Sequence, residues 1–213
     1  MKIFTCEQGS IDWYQARAGM PTASHFKDLF IGPRGGQANR RTYMLRLAGE
    51  ILTGEPMEQI WNGHMERGRI MENEARNFYA LDIGMEPERV GFIRNDRASG
   101  PVGCSPDSLV GSDGALEIKT AMPHILLEAI LKDAPPAEHV AQCQGILWVA
   151  EREWIDLSIY WPRLPPFVKR LHRDQDFIDS LVVAVDAFNE ELQEIVERVR
   201  RYGRDDCADM EAA

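Results

Sequence analysis

The residues best suited to chemistry lie near the middle of the chain: Gly103-Cys104-Ser105-Pro106-Asp107, then Leu116-Glu117-Ile118-Lys119. Glu117 and Lys119 are two apart in a segment that reads as a strand, so they share a face. Leu116 and Ile118 take the other face, toward a core. Ser112-Asp113-Gly114, between Asp107–Gly111 and Ala115–Thr120, is a hairpin signal. A three-residue loop of those residues, with Gly114 at positive φ, pairs Gly111 with Ala115, Leu109 with Glu117 and Asp107 with Lys119. Asp107, Glu117 and Lys119 then converge. A two-residue Asp113-Gly114 loop would turn Asp107 to the opposite face, because a slip of one residue reverses the side. Two carboxylates and a lysine on one strand face suit a hard divalent cation with oxygen ligands and retained waters. Such an ion acidifies a bound water and stabilises charge on a phosphoryl oxygen. Glu-x-Lys is also the pattern of a solvated cross-strand charge pair, and the Ser-Pro-Asp at hairpin distance is what argues for a site.

Regular elements must hold these residues in place. Tyr43 to Leu52 has apolar residues at 43, 44, 47, 48, 51 and 52, the spacing of a helix. A second helix is predicted from about Met65 to Leu81, closing near Gly84 as a C-cap. Thr22-Ala23-Ser24 predicts a helix start before His25–Phe30, and Gly32-Pro33-Arg34-Gly35-Gly36 a flexible loop. Strands are predicted over Val90–Ile93, Gly100–Cys104, Asp107–Gly111, Ala115–Thr120 and Trp154–Tyr160. Helix returns over Glu138–Ala150, and Pro162, Pro165 and Pro166 break the chain later. Asp176–Tyr202 is long and amphipathic, with Phe177, Leu181, Val185, Phe188, Leu192, Ile195 and Val199 spaced by threes and fours. Helices flanking a central cluster of strands make the class mixed α/β.

The chain has 213 residues and a formal net charge of −10. That length suits one domain over residues 1–202, with the polar, acidic stretch 203–213 as a frayed tail. The excess acid argues against a generic polyanion binder. The charge is uneven, however. Lys27, Arg34, Arg40, Arg41 and Arg46 stand against Asp28 alone, and Arg163, Lys169, Arg170 and Arg173 against no acid within 163–173. No apolar run approaches the roughly 18 residues that span a bilayer. Met1–Glu7 lacks the apolar stretch of a signal peptide, so a cytoplasmic protein with no membrane partner is expected. Cys6, Cys104, Cys143 and Cys207 form no CxxC pair, which excludes a zinc ribbon and leaves no disulfide framework.

Asp107 with Glu117-Ile118-Lys119 resembles the core of the PD-(D/E)xK nuclease superfamily, and the flanking segments narrow this to its lambda-type exonucleases of viral recombination. Gln8-Gly9, Trp13, Arg17, Gly19 and Thr22-Ala23-Ser24 resemble that family's N-terminal motif. Gly68-x-x-x-Glu72-Asn73-Glu74-Ala75-Arg76 resembles its acidic helix, and Ala141-Gln142-Cys143-Gln144 with Trp148-Val149 its glutamine helix. The motifs keep the family's order over about residues 8 to 150; beyond Trp154 the match is loose. The resemblance implies a restriction-endonuclease-like α/β core, a twisted mixed sheet flanked by helices. It implies digestion of one strand of linear double-stranded DNA from a 5′-phosphate end, dependent on Mg²⁺, with Mn²⁺ as the alternative ion. The products would be 5′-mononucleotides and a 3′ overhang for single-strand annealing. A homotrimeric ring and a single-strand annealing protein would be the partners.

By the same resemblance Asp107, Glu117 and the Ile118 carbonyl are metal ligands, with Asp107 able to bridge two ions. Lys119 positions the attacking water, and Glu72 adds a carboxylate. Arg17, Ser24, Ser105 and Gln144 match the residues that hold the 5′-phosphate. Gln142 and Gln144, two apart on a helix, cannot point the same way, and Gln144 is expected inward. Arg34, Met65 and Gln142 are matched to DNA contacts, Arg34 in a groove and Met65 as a wedge between base pairs. Trp13, Trp61, Trp148 and Trp154 are expected in the core, and the basic clusters facing the DNA. Two rivals remain. A related endonuclease with an iron–sulfur cluster needs a cysteine pattern that is not present. A non-catalytic DNA-end binder would have lost a carboxylate or the lysine, and Glu72, Asp107, Glu117 and Lys119 are all present.

Overall fold

Apolar residues of the strands and helices set the layers. The structure is a computed structural model and describes residues 1–30, 37–57 and 63–202. Arg34, Trp61 and the tail 203–213 lie outside the described residues, as does the side chain of Met65. The helices are α1 (Ile11–Arg17), α2 (Gln37–Thr53), α3 (Gly63–Ile83), α4 (Pro123–Lys132), α5 (Val140–Val149) and α6 (Gln175–Arg201). Strands β1 (Lys2–Phe4), β2 (Phe92–Arg97) and β3 (Gly100–Cys104) form an antiparallel sheet in that order. Strands β4 (Ser108–Val110), β5 (Gly114–Thr120), β6 (Trp154–Tyr160) and β7 (Phe167–His172) form a second. In it β5 and β6 run parallel and the outer pairs antiparallel, so the sheet is mixed.

The chain crosses from β5 to β6 through α4 and α5. Residues Ile155 to Tyr160 are all buried, as suits a parallel strand covered on both faces. On one face Met71, Ala75 and Tyr79 of α3 pack against Val110, Leu116, Ile118 and Tyr160. The other face carries the larger core, built on α5 and α6. Helix α5 is buried nearly all round, and Gly145 explains one of its contacts. A Cβ there would stand 2.3 Å from the ring of Phe26, so only glycine lets the segment Ala23–Leu29 lie against α5.

That segment is a helix starting where the sequence places one, of the 3-10 type, and it is pinned by a backbone bridge from Thr22 to Gly103. In α6 the buried stripe is Ile178, Leu181, Val185, Phe188, Leu192 and Val196. Phe177 and Ile195 are only partly buried and Val199 is half exposed, because a 3.6-residue period drifts off a stripe read in sevens. Within the basic run 163–173, three cations have partners in the protein itself. Arg170 pairs with the buried Asp156, Lys169 with Asp133, and Arg173 donates to the Leu147 carbonyl. In the first run Arg40 holds Glu191 at 2.6 and 2.7 Å.

Candidate active site

The β4–β5 hairpin positions both carboxylates. Its loop is Gly111-Ser112-Asp113, with Gly111 at φ +59°, and it pairs Val110 with Gly114, Leu109 with Ala115 and Ser108 with Leu116. The register is shifted by two residues from the predicted one. Continuing it sets Asp107, rather than Leu109, opposite Glu117. A shift of two preserves the face, so Asp107 and Glu117 stay on one side. Asp107 Oδ2 accepts the Ile118 N–H at 2.5 Å. A strand residue sends its N–H and C=O to the same edge, so the Ile118 carbonyl leaves toward Asp107 as well.

Glu117 faces α5 in the middle of the sheet. Its Oε1 accepts from Gln142 Nε2 at 2.5 Å and lies 2.7 Å from Lys119 Nζ. Its Oε2 is buried and has no hydrogen-bond partner among the described residues. Burial pushes the Asp107 carboxyl well above the usual carboxylate range, helped by repulsion from Glu117 and Glu72. Burial raises Glu117 too, against the opposing pull of Lys119. Burial alone would lower Lys119, but Glu117 beside it wins and holds the ammonium above its ordinary value. The buried Glu117 thus opposes ionisation of the half-buried Asp107 beside it, as at a site built for a cation.

Glu72 comes from α3 and is held by Arg76, a buried arginine to which the sequence reading gave no role. Arg76 Nη2 donates to Glu72 Oε1 at 2.6 Å and to the Asp107 carbonyl at 3.1 Å. Its Nε donates to Ser108 Oγ at 3.0 Å. One guanidinium therefore ties the α3 carboxylate to the strand end that carries Asp107. The Glu72-x-x-x-Arg76 spacing, one helical turn, is the signal that could have found it.

Asp107 and Glu117 open on a cavity of about 200 Å³ whose walls include Trp13, Arg17, Ser24, Ser105 and Gln142. Arg17 Nη2 donates to Thr22 Oγ1 at 3.2 Å, and its guanidinium lies 4.2 Å from the Trp13 ring centre. Trp13 is thus half-buried at the site rather than in the core, whereas Trp148 is a core residue. The two glutamines are reversed from expectation. Gln142 reaches into the site. Gln144 points the other way, donating to the His172 carbonyl and accepting from the Asp174 N–H, both at 2.9 Å. It fastens the β7–α6 connection and does not line the cavity. Among the described residues no three His, Cys, Asp or Glu side chains gather in metal-holding geometry; the oxygen donors here are two carboxylates and a carbonyl.

The YqaJ-like viral recombinase domain matches residues 12–153, which hold every wall residue named above. An alkaline exonuclease from Laribacter hongkongensis is 32% identical, over 92% of this chain and 99% of that one, with a TM-score of 0.81. Its complex with dAMP superposes with a TM-score of 0.82. A phage-related exonuclease from Haemophilus somnus 129PT shares the fold at 16% identity, over 84% of this chain and 96% of that one, with a TM-score of 0.62. No curated protein matches in sequence.

Proposed function

This chain belongs to the YqaJ-like viral recombinase family and is a nuclease of restriction-endonuclease-like fold, and from that premise we propose that it digests one strand of linear double-stranded DNA from the 5′ end, with a divalent cation. Each turnover would release a 5′-mononucleotide and lengthen a 3′ overhang for single-strand annealing. One observation carries the proposal: the Asp107–Glu117 pair, with its buried, unpartnered oxygen, shares a cavity with Arg17, Ser24 and Ser105. Phosphodiester hydrolysis beside a terminal phosphate needs that pairing of an acidic centre with an anion pocket. The complex of the Laribacter hongkongensis enzyme with dAMP supports a mononucleotide product.

The donor set fits Mg²⁺, which asks for one or two carboxylates and completes its shell with water and substrate oxygens. Mn²⁺ accepts the same ligands. Asp107, Glu117 and the Ile118 carbonyl would hold the ion, and Glu72 is the carboxylate at hand for a second. When bound, the metal supplies an acidified water and stabilises charge on the phosphoryl oxygens. Gln142 fixes the Glu117 rotamer through Oε1 and leaves the buried Oε2 without a partner. Lys119, kept protonated by Glu117, orients the water. Arg17 offers a guanidinium to the terminal phosphate, the geometry best matched to its oxygens. From the family resemblance we also propose a homotrimeric ring and a single-strand annealing protein as partner; enclosure would keep a net-acidic chain on DNA. Among the described residues no helix is long and apolar enough to cross a membrane.

Linear duplex with a 5′-phosphate should yield acid-soluble mononucleotides in Mg²⁺, and a chelator should stop the reaction. Cleavage of closed circles would favour an endonuclease, and binding without hydrolysis a non-catalytic end binder. The glutamines separate site from scaffold. Gln142→Leu should slow hydrolysis roughly tenfold through loss of a charge-assisted hydrogen bond. Gln144→Leu should leave the rate per folded molecule intact and cost about 1–3 kcal/mol of stability, since it strands two backbone groups. Equal effects on rate would contradict their opposite orientations.

A further inference from the structure

Hydroxyl groups both donate and accept, so their orientation in the cavity depends on their neighbours. An indole N–H only donates, and so does a guanidinium. Trp13 Nε1 lies 2.9 Å from Ser105 Oγ and 3.1 Å from the Gly91 carbonyl. Ser105 must therefore accept from the indole, which leaves its own proton to be donated into the cavity it lines. A second relay runs from Arg17. Its Nη2 donates to Thr22 Oγ1 at 3.2 Å, and Thr22 Oγ1 lies 3.3 Å from Ser24 Oγ. The guanidinium fills one of the two acceptor sites of Thr22 Oγ1, and either hydroxyl can donate across the contact to Ser24; donation from Thr22 is the arrangement that directs the Ser24 proton outward. Thr22 itself cannot swing: it is buried, its N–H donates to the Tyr43 hydroxyl oxygen at 3.0 Å, and its backbone bridges Gly103.

We infer that Trp13 and Thr22 are positioning residues that turn the Ser105 and Ser24 hydroxyls into donors and so set the preference for a 5′-phosphate over a 5′-hydroxyl end. A phosphate presents only acceptors and meets two aligned protons beside Arg17. A terminal hydroxyl is smaller, uncharged and carries a proton of its own. The inference rests on the proposed 5′-phosphate pocket and adds what sets its polarity. Trp13 also backs the Arg17 guanidinium with its ring face, so a test must separate the N–H from the ring.

The test is the ratio of kcat/KM on linear duplex ended by 5′-phosphate to that on the same duplex ended by 5′-hydroxyl. Trp13→Phe keeps a ring under Arg17. Replacing Trp13 by its benzothiophene analogue keeps the full shape and loses only the N–H. Thr22→Val keeps volume and loses the relay. Each variant should lower the ratio about tenfold, the loss of one aligned hydrogen bond to an anion, because the 5′-phosphate rate falls further than the 5′-hydroxyl rate. Calorimetric binding of dAMP should weaken by a like factor and that of deoxyadenosine should not. An unchanged ratio in the benzothiophene and Thr22→Val proteins, or an equal fall on both ends, overturns the inference. A wild-type protein that does not prefer the phosphate end overturns the pocket itself, a different failure seen before any variant is made.

Discussion

Asp107→Asn is expected to lower mononucleotide release by roughly 10³-fold, the several kcal/mol that a metal's charge stabilisation contributes, while making the metal-free protein more stable. Both effects have one origin. Asparagine keeps an oxygen to accept the Ile118 N–H, so the hairpin closes as before. It removes a charge that burial and the nearby Glu117 and Glu72 disfavour. The sign follows from linkage. The folded Asp107 carboxyl titrates above its unfolded value, so the folded state holds the proton more tightly. That contribution is complete below the unfolded value, is lost as pH rises through the folded one, and is absent above it. Melting of the chelated wild type should therefore fall as pH climbs through the raised range of Asp107 and Glu117, and Asp107→Asn should flatten that fall. Mg²⁺ should raise the wild-type melting temperature by selective binding to the folded state, and raise that of the variant much less. A variant that keeps the wild-type rate, or a wild type whose chelated melting temperature climbs with pH in this range, would count against the carboxylate pair as the catalytic centre.

The site was legible in parity and not in phase. A strand pattern of period two fixes which residues share a face, and an odd number of loop residues preserved that face. Nothing in the alternation separates one register from another two residues away, so the partner of Glu117 came out as Leu109 instead of Asp107. Helix α5 failed for a related reason. It is apolar on all sides, and without a polar stripe the sequence offers no phase by which to aim Gln142 and Gln144. Other elements were hidden by composition. In β7 the residues between Phe167 and His172 alternate in burial, but Lys169 and Arg170 make the run read as a charged loop after three prolines. Helix α4 begins on Pro123 and buries only Leu126 and Ala129, which is too thin a stripe to stand out. Arg76 and Thr22 sat within recognised motifs, yet their roles needed distances: one holds a carboxylate, the other a hydroxyl.

Arg170 shows how a charge read from sequence changes meaning in the fold, and it carries the second large effect. Arg170→Met is expected to cost about 2–3 kcal/mol of stability, between the value of an exposed pair and the loss on breaking a buried one. Asp156 is buried in β6, and its carboxylate accepts Arg170 Nε at 2.9 Å, Arg170 Nη2 at 2.8 Å and the Tyr79 hydroxyl at 2.6 Å. The guanidinium also lies 3.6 Å from the Trp154 ring centre. Half of the Arg170 side chain is exposed, so solvent screens part of the pair and holds the cost below the buried limit. Methionine keeps apolar cover on Trp154 but leaves Asp156 a buried anion with only a tyrosine to solvate it. The melting temperature should drop by about 5–10 °C, from the usual 2–4 °C per kcal/mol in a chain of this size. Adding Asp156→Asn should recover part of that drop, because the stranded charge is gone. DNA affinity and hydrolysis per folded molecule should not change, since the cation neutralises β6 and not a phosphate. Weaker DNA binding with an unaltered melting temperature would return Arg170 to the substrate path that the bare charge count suggested.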